Sequence, residues 1–92
     1  MITDKLNEWQ HCIDEYMERQ GKQAIDEIEA SSELARQGLM EDDQTQPGRP
    51  LREFFARLRD SNLLPRNIRQ SFGSWVIRNS RAFQVRQQIF LF

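Results

Sequence analysis

The chain has 92 residues, of which 13 are Lys or Arg and 14 are Asp or Glu, so its formal net charge at neutral pH is −1. This length supports one domain, which buries only about 60–65% of the surface that its unfolded chain exposes, so a partner or self-association would strengthen a thin core. The composition excludes a membrane-spanning chain, since no apolar run approaches about 18 residues, and the absence of a basic and an apolar segment at the start argues against secretion.

The first part of the chain predicts an acidic helix or helical hairpin over residues 3–40. Apolar residues recur there in steps of three and four, which places them on one helical stripe. They are Leu6, Trp9, Ile13, Tyr16, Met17, Ala24, Ile25, Ile28, Ala35 and Leu39. Thr3 is a candidate N-cap. Gly21 costs a helix about 1 kcal/mol relative to alanine, so either one long helix with a weak point or two helices joined at Gly21 are predicted.

Residues 41–49 predict a linker, because they carry no apolar side chain and include a proline and a glycine. Pro50 then suits the first turn of the next helix. The apolar face of that helix follows the i, i+3, i+4, i+7 pattern and consists of Leu51, Phe54, Phe55 and Leu58. The polar run of residues 60–62 predicts its end.

Beyond Pro65 the helical spacing continues through Ile68, Phe72 and Trp75, which predicts a further helix. Two structures remain open for residues 74–91. A helix is favoured by the glutamines and arginines, whereas alternation within 75–78 and 83–91 would suit a β-hairpin turning at residues 79–80.

The resulting fold prediction is a single all-α domain of residues 1–92, a small helical bundle. It has an acidic helical part (3–40), a linker (41–49) and a basic helical part (50–92). Aromatic side chains bury large areas, so they are expected to dominate the core of so short a chain. The aromatic residues assigned to this core are Trp9, Tyr16, Phe54, Phe55, Phe72 and Trp75.

Charge is segregated along the chain. Residues 1–46 contain four basic and twelve acidic residues, whereas residues 47–92 contain nine arginines, no lysine and two acidic residues. A guanidinium group binds carboxylates and phosphates bidentately, which makes the arginines the candidate binding residues. Helical spacing groups them as Arg52 with Arg59, Arg66 with Arg69, and Arg78 with Arg81.

These arginines have two possible counterparts. They could pair with carboxylates of this chain, of a second copy or of another protein, or they could bind phosphates. The isoelectric point of about 5.8 favours carboxylates, because a nucleic-acid-binding domain usually has a value above about 9. A helix-turn-helix over residues 51–76 is a weaker hypothesis, since its turn contains proline and no glycine.

Few residues could support catalysis or metal binding. Glu8 and His11 have the Glu-x-x-His spacing of di-iron bundles, which need that motif twice and two further glutamates. His11 and Cys12 point about 100° apart on a helix and are too few for a zinc site. We therefore predict no metal, no cofactor, no small-molecule substrate and no enzymatic activity. A lone cysteine cannot form an intrachain disulfide, which suggests a cytoplasmic setting.

The predicted function is that of a small protein-interaction module or regulator. It would bind and occlude a macromolecular partner, another protein with an acidic surface, and would form a homodimer through its apolar helix faces. The alternative is a nucleic-acid-binding regulator in which the arginines of residues 49–86 contact phosphates.

Overall fold

The computed structural model describes residues 2–81, and the side chains of residues 4–81. Along the chain the elements are α1 (Ile2–Gln20), β1 (Ala24–Asp26), α2 (Glu27–Arg36), α3 (Arg49–Asp60), β2 (Ile68–Ser71) and β3 (Ser74–Arg78). Within these residues the strands form a three-stranded antiparallel sheet of order β1-β3-β2. The predicted all-α helical bundle is therefore wrong, because the domain combines helices with a sheet.

Gly21 breaks the first helix. Its φ of 66° is left-handed, and the Lys22 N–H donates to the Met17 carbonyl at 2.9 Å, a Schellman ending that suits glycine. The chain then forms β1, so the prediction that Ala24 and Ile25 belong to a helix is wrong. α1 already begins at Ile2, so Thr3 lies inside the helix instead of capping it.

The predicted helix after the linker is confirmed. α3 has proline in its first turn and buries all of its predicted apolar face, Leu51, Phe54, Phe55 and Leu58. It ends at Asp60, and Asn62 follows with a left-handed φ of 59°. The Leu63 N–H closes the end by donating to the Leu58 carbonyl at 2.8 Å.

A β-hairpin replaces the helix predicted beyond Pro65. β2 and β3 are joined by Phe72 and Gly73, whose φ values of 50° and 81° are typical of a two-residue type I′ turn. The helix-turn-helix hypothesis is therefore also wrong. The spacing of Ile68, Phe72 and Trp75 fits a helix, but the burial of β3 alternates along the strand. The alternative hairpin placed a strand at 75–78 correctly, but it paired that strand with residues 83–91, which lie outside the described part of the chain.

The core lies between the helices and one face of the sheet. The sheet contributes Ile25, Ile68, Trp75 and Ile77, and the helices contribute Leu6, Trp9, Ile13, Met17, Ala30, Leu34, Leu51, Phe54, Phe55 and Leu58. A series of ring contacts crosses it: Trp9 to Phe54 with centroids 4.9 Å apart, Phe54 to Phe55 at 6.3 Å, and Phe55 to Trp75 at 5.5 Å. This arrangement leaves the other face of the sheet open.

Some predicted core positions are wrong. Phe72 is fully exposed at the hairpin turn, and Ile28 is 46% exposed on α2. Tyr16 is partly buried, and its hydroxyl donates to Glu29 Oε2 at 2.6 Å. Between residues 2 and 81, no helix combines the length and the apolarity needed to cross a membrane.

Candidate functional site

A buried carboxylate holds the hairpin to α2 and α3. Glu27 follows the last residue of β1, and the strand register places it opposite Trp75. Its carboxylate accepts the Trp75 N–H at 3.2 Å and the Ser74 hydroxyl at 3.1 Å, and Arg52 of α3 lies 3.5 Å away. The side chain thus supplies the acceptor that β1 would provide if it continued.

A second polar cluster holds the end of β3 to α1. The buried carboxylate of Asp14 accepts the Ser80 N–H at 2.9 Å and the Ser80 hydroxyl at 2.5 Å. The guanidinium of Arg81 lies 3.1 Å from Glu18 and contacts His11 Nδ1 at 2.9 Å. The basic end of the described chain is therefore anchored on the acidic helix.

Three of the six candidate arginines pair with carboxylates of the same chain. Arg52 lies beside Glu27, Arg81 beside Glu18, and Arg59 beside Asp60 at 3.2 Å. Arg59 also donates to Gln70 at 2.7 Å and stacks 5.9 Å from the centre of the Trp75 ring. These three arginines contact side chains of their own chain, and Arg81 lies against α1 whereas Arg78 lies in β3.

The other three, Arg66, Arg69 and Arg78, are exposed and form no ion pair with another described residue. Arg69 pairs with Val76 across the hairpin, and Arg78 lies two positions beyond Val76 on the same strand. Successive side chains alternate between the faces of a sheet, so Arg69 and Arg78 share one face as diagonal neighbours about 7–8 Å apart. Arg66 lies in the turn before β2. Of the six candidate arginines, the three without an ion pair among the described residues therefore lie in the hairpin or in the turn before it.

The two arginines lie on the face of the sheet that the helices leave uncovered. We call it the open face; its members are Ala24, Asp26, Arg69, Ser71, Ser74, Val76 and Arg78. Its carboxylate, Asp26, is engaged at the start of α2, where it accepts the Glu29 N–H at 2.8 Å. The open face carries two arginines and this one carboxylate, so it is positive overall.

Phe72 lies in the turn at the tip of the hairpin, next to Ser71 of the open face. Its exposed fraction is 106%, so the ring has no packing role among the described residues. A bulky residue is rare at positive φ, and such backbone strain costs of the order of 1–3 kcal/mol. The sequence reading missed this surface because it placed Phe72 on a helix face. The alternation in Ser-Trp-Val-Ile-Arg and the glycine after Phe72 were the signals that pointed to a hairpin.

A cavity of about 280 Å³ lies between α1 and α2, lined by His11, Cys12, Glu15, Arg19, Glu33, Gln37 and Leu39. Burial, with a smaller effect of Glu33, raises the pKa of the Cys12 thiol, so the thiol stays protonated at neutral pH. His11 Nε2 lies 3.3 Å from Glu15. Among the described residues, no group of three or more His, Cys, Asp or Glu could hold a metal ion.

Glu33 beside this cavity makes the fold sensitive to acid. Arg36 donates to its buried carboxylate from Nε at 2.9 Å and from Nη2 at 2.8 Å, and Gln37 and Arg19 donate as well. These bonds, chiefly those from Arg36, lower its pKa from 4.5 to about 2. A carboxyl whose pKa is lower in the folded state stabilises the fold above its unfolded pKa, and loses that effect as pH falls through its folded pKa.

We therefore expect the free energy of unfolding to decrease as the pH is lowered from about 4.5 to about 2. The free energy of unfolding of the Glu33→Gln variant should decrease less steeply over this interval. Denaturant titrations at a series of pH values measure both slopes, and the difference between the two proteins removes the contribution of other carboxyls. Identical slopes would contradict this role of Glu33.

Comparison with known proteins finds no match among protein-family models, curated proteins or solved structures.

Proposed function

We propose that this protein is a non-enzymatic interaction module that binds an acidic surface of another protein. It would do so through Arg66, Arg69 and Arg78, with Phe72 as an aromatic anchor. The observation that carries the proposal is that the candidate arginines without an ion pair among residues 2–81 all belong to the hairpin and the turn before it, and that the tip of this hairpin carries the fully exposed Phe72. Arginine and aromatic side chains supply much of the binding energy of protein interfaces.

A protein partner suits this surface better than a nucleic acid. The helical layer carries many exposed carboxylates, and the net charge of the chain is −1, so the positive charge of the small open face is local. A local acidic patch matches a small positive face without the extended basic surface that phosphate binding uses. Binding here would occlude the contacted surface of the partner.

The charged groups support a non-catalytic role. Glu27, Asp14 and Glu33 hold elements together, and the protonated Cys12 is a poor nucleophile. Cys12 is a free thiol, which suits the reducing cytoplasm.

The homodimer stays a prediction, but in this fold its contact cannot lie where the sequence predicted it. The apolar faces of α1 and α3, through which self-association was predicted, are buried in the core of the chain itself. We therefore propose that contacts with a partner use the sheet and the hairpin instead.

The proposal predicts binding of an acidic polypeptide that depends on the open face. With fluorescent poly-L-glutamate as the probe, Arg69→Ala, Arg78→Ala and Phe72→Ala should each weaken binding by about fivefold or more, equivalent to about 1 kcal/mol. Arg57→Ala is the matched control, because Arg57 is exposed on α3 and lies over the Phe54 ring, away from the open face. Fluorescence anisotropy measures the affinities.

A short DNA duplex, titrated in the same way, separates the two kinds of partner. We expect negligible DNA binding near physiological salt. Tight binding whose log K falls against log salt with a slope near −2.7, about −0.9 for each of three arginines, would make nucleic acid the partner and contradict the proposal. If the protein bound neither poly-L-glutamate nor DNA, that result would also contradict the proposal.

A further inference from the structure

Strand β2 lies at an edge of the sheet and leaves backbone groups of Gln70 without a strand partner. The strand order β1-β3-β2 gives β2 one neighbour among the described residues. The Arg78 N–H donates to the Asn67 carbonyl at 2.8 Å, which makes this a hydrogen-bonded pair. Because hydrogen-bonded and non-hydrogen-bonded pairs alternate in an antiparallel ladder, Arg69 bonds towards β3 and Gln70 faces outward.

The outward groups of β2 are not all equal. The Ile68 N–H donates to the Pro65 carbonyl at 3.2 Å, so the turn before the strand satisfies it. The N–H and carbonyl of Gln70, and the carbonyl of Ile68, have no backbone partner among the described residues. This edge therefore offers one donor flanked by acceptors, which is what an added strand pairs with.

The other edge of the sheet suits an added strand less well. β1 has three residues, and its last, Asp26, uses its carboxylate to cap α2. β2 is longer and carries Arg69, with Arg66 before it and Arg78 diagonally across the hairpin. Charge therefore favours the β2 edge as the place where an acidic strand would bind.

A second copy of the chain is a poor occupant of this edge. Antiparallel pairing of β2 with itself would bring the Arg66 and Arg69 of each copy towards those of the other, and like charges on paired strands are destabilising. Basic side chains on edge strands are a common means of preventing such self-pairing. An extended segment with acidic side chains would instead place them beside Arg69 on the open face.

We infer that the partner binds as an extended acidic segment that adds a strand to β2, pairing with the Gln70 backbone and facing Arg69 with carboxylates. Phe72, at the end of the strand, would contact the same segment. This inference rests on the proposed function and names the form of the partner. It separates strand addition from simple charge attraction, since only strand addition needs backbone hydrogen bonds.

Backbone methylation of a peptide tests the inference. The probes are a short peptide of alternating glutamate and valine, a copy N-methylated at its glutamates and a copy N-methylated at its valines. All have the same charge. In a strand, both the side-chain face and the direction of the N–H alternate from one residue to the next. If the glutamates face Arg69, only the glutamate N–H groups or only the valine N–H groups can therefore point towards β2, because a shift of one residue would turn the glutamates to the other face. We expect one methylated copy to bind like the parent and the other to bind about tenfold more weakly or worse, because its hydrogen bonds are lost.

A protein variant tests the same edge from the other side. Gln70→Pro removes the outward N–H and spares the ladder with β3, so it should weaken binding of the unmethylated peptide about tenfold. Gln70→Ala is its control, since both changes remove the side-chain hydrogen bond from Arg59. Circular dichroism checks that both variants are folded, and the methylated peptides carry the test if the proline variant is not.

The outcomes distinguish the two proposals. Equal binding of both methylated copies, still weakened by Arg69→Ala, would overturn strand addition and leave the charged interface standing. Failure of the parent peptide and of poly-L-glutamate to bind would overturn the proposed function itself. A dimer in sedimentation that Gln70→Pro dissociates would assign the β2 edge to a second copy and overturn the inference.

Discussion

Phe55→Ala is expected to lower the free energy of unfolding by about 3–5 kcal/mol, the range for removing a large aromatic side chain from a packed core. Phe55 is 1% exposed, and its ring lies between Phe54 and Trp75 at centroid distances of 6.3 and 5.5 Å. It joins α3 to the central strand of the sheet, so its loss would leave a cavity between the two layers. Urea denaturation followed by circular dichroism measures the change.

Phe72→Ala is the matched control, because it is the same substitution at a fully exposed site. We expect its stability to stay within about 0.5 kcal/mol of the unsubstituted protein. Leu58→Ala, on the same buried face as Phe55, should cost about 2–5 kcal/mol. If Phe55→Ala left the denaturation midpoint unchanged, the face of α3 could not be the core.

Glu27→Ala is expected to cost about 2–4 kcal/mol, because it leaves a buried donor without its acceptor. The carboxylate of Glu27 is 1% exposed and serves the Trp75 N–H, the Ser74 hydroxyl and Arg52 at once. Arg52 is partly exposed and can turn to water, whereas the Trp75 amide cannot. Denaturant unfolding measures the loss, and hydrogen exchange at the Trp75 amide should quicken with it.

Two variants control for this result. Glu27→Gln keeps a side-chain oxygen that can accept the Trp75 N–H, so its cost should be smaller than that of alanine. Glu41→Ala removes an exposed glutamate of the loop before α3 and should change stability by less than about 0.5 kcal/mol. A cost for Glu27→Ala no larger than that for Glu41→Ala would show that the carboxylate does not hold the hairpin.

The contacts of Glu27 also hold the strand that forms part of the open face. It fixes β3 at Trp75, and β3 carries Arg78 and pairs with the strand that carries Arg69. The open face is therefore held by a carboxylate from the acidic half of the chain. The acidic half of the chain thus serves the fold through Glu27 and Asp14, and Arg66, Arg69 and Arg78 are the arginines that we propose contact a partner.

Helices α1 and α3 could be predicted from the residues of the chain. Both are long enough for the spacing of three and four to repeat, so their buried faces could be read from the residues. The polar residues after α3 also located its end, whereas Gly21 was predicted either as a weak point of one long helix or as the joint between two helices. These features depend on neighbours within one or two turns, which a sequence displays directly.

The sheet and the candidate site depend on contacts between residues that are distant in the sequence. Strands of three to five residues are too short to establish a period, and the spacing of Ile68, Phe72 and Trp75 fits a helix equally well. What favours strands there is contact with distant residues, such as Ile25 beside Ile77 and Glu27 beside Trp75. Contacts between distant residues also decide which candidate arginines form ion pairs. Arg81 contacts Glu18 and Arg52 contacts Glu27. Arg69 and Arg78 face solvent because the register of the hairpin places them on the side of the sheet away from the helices.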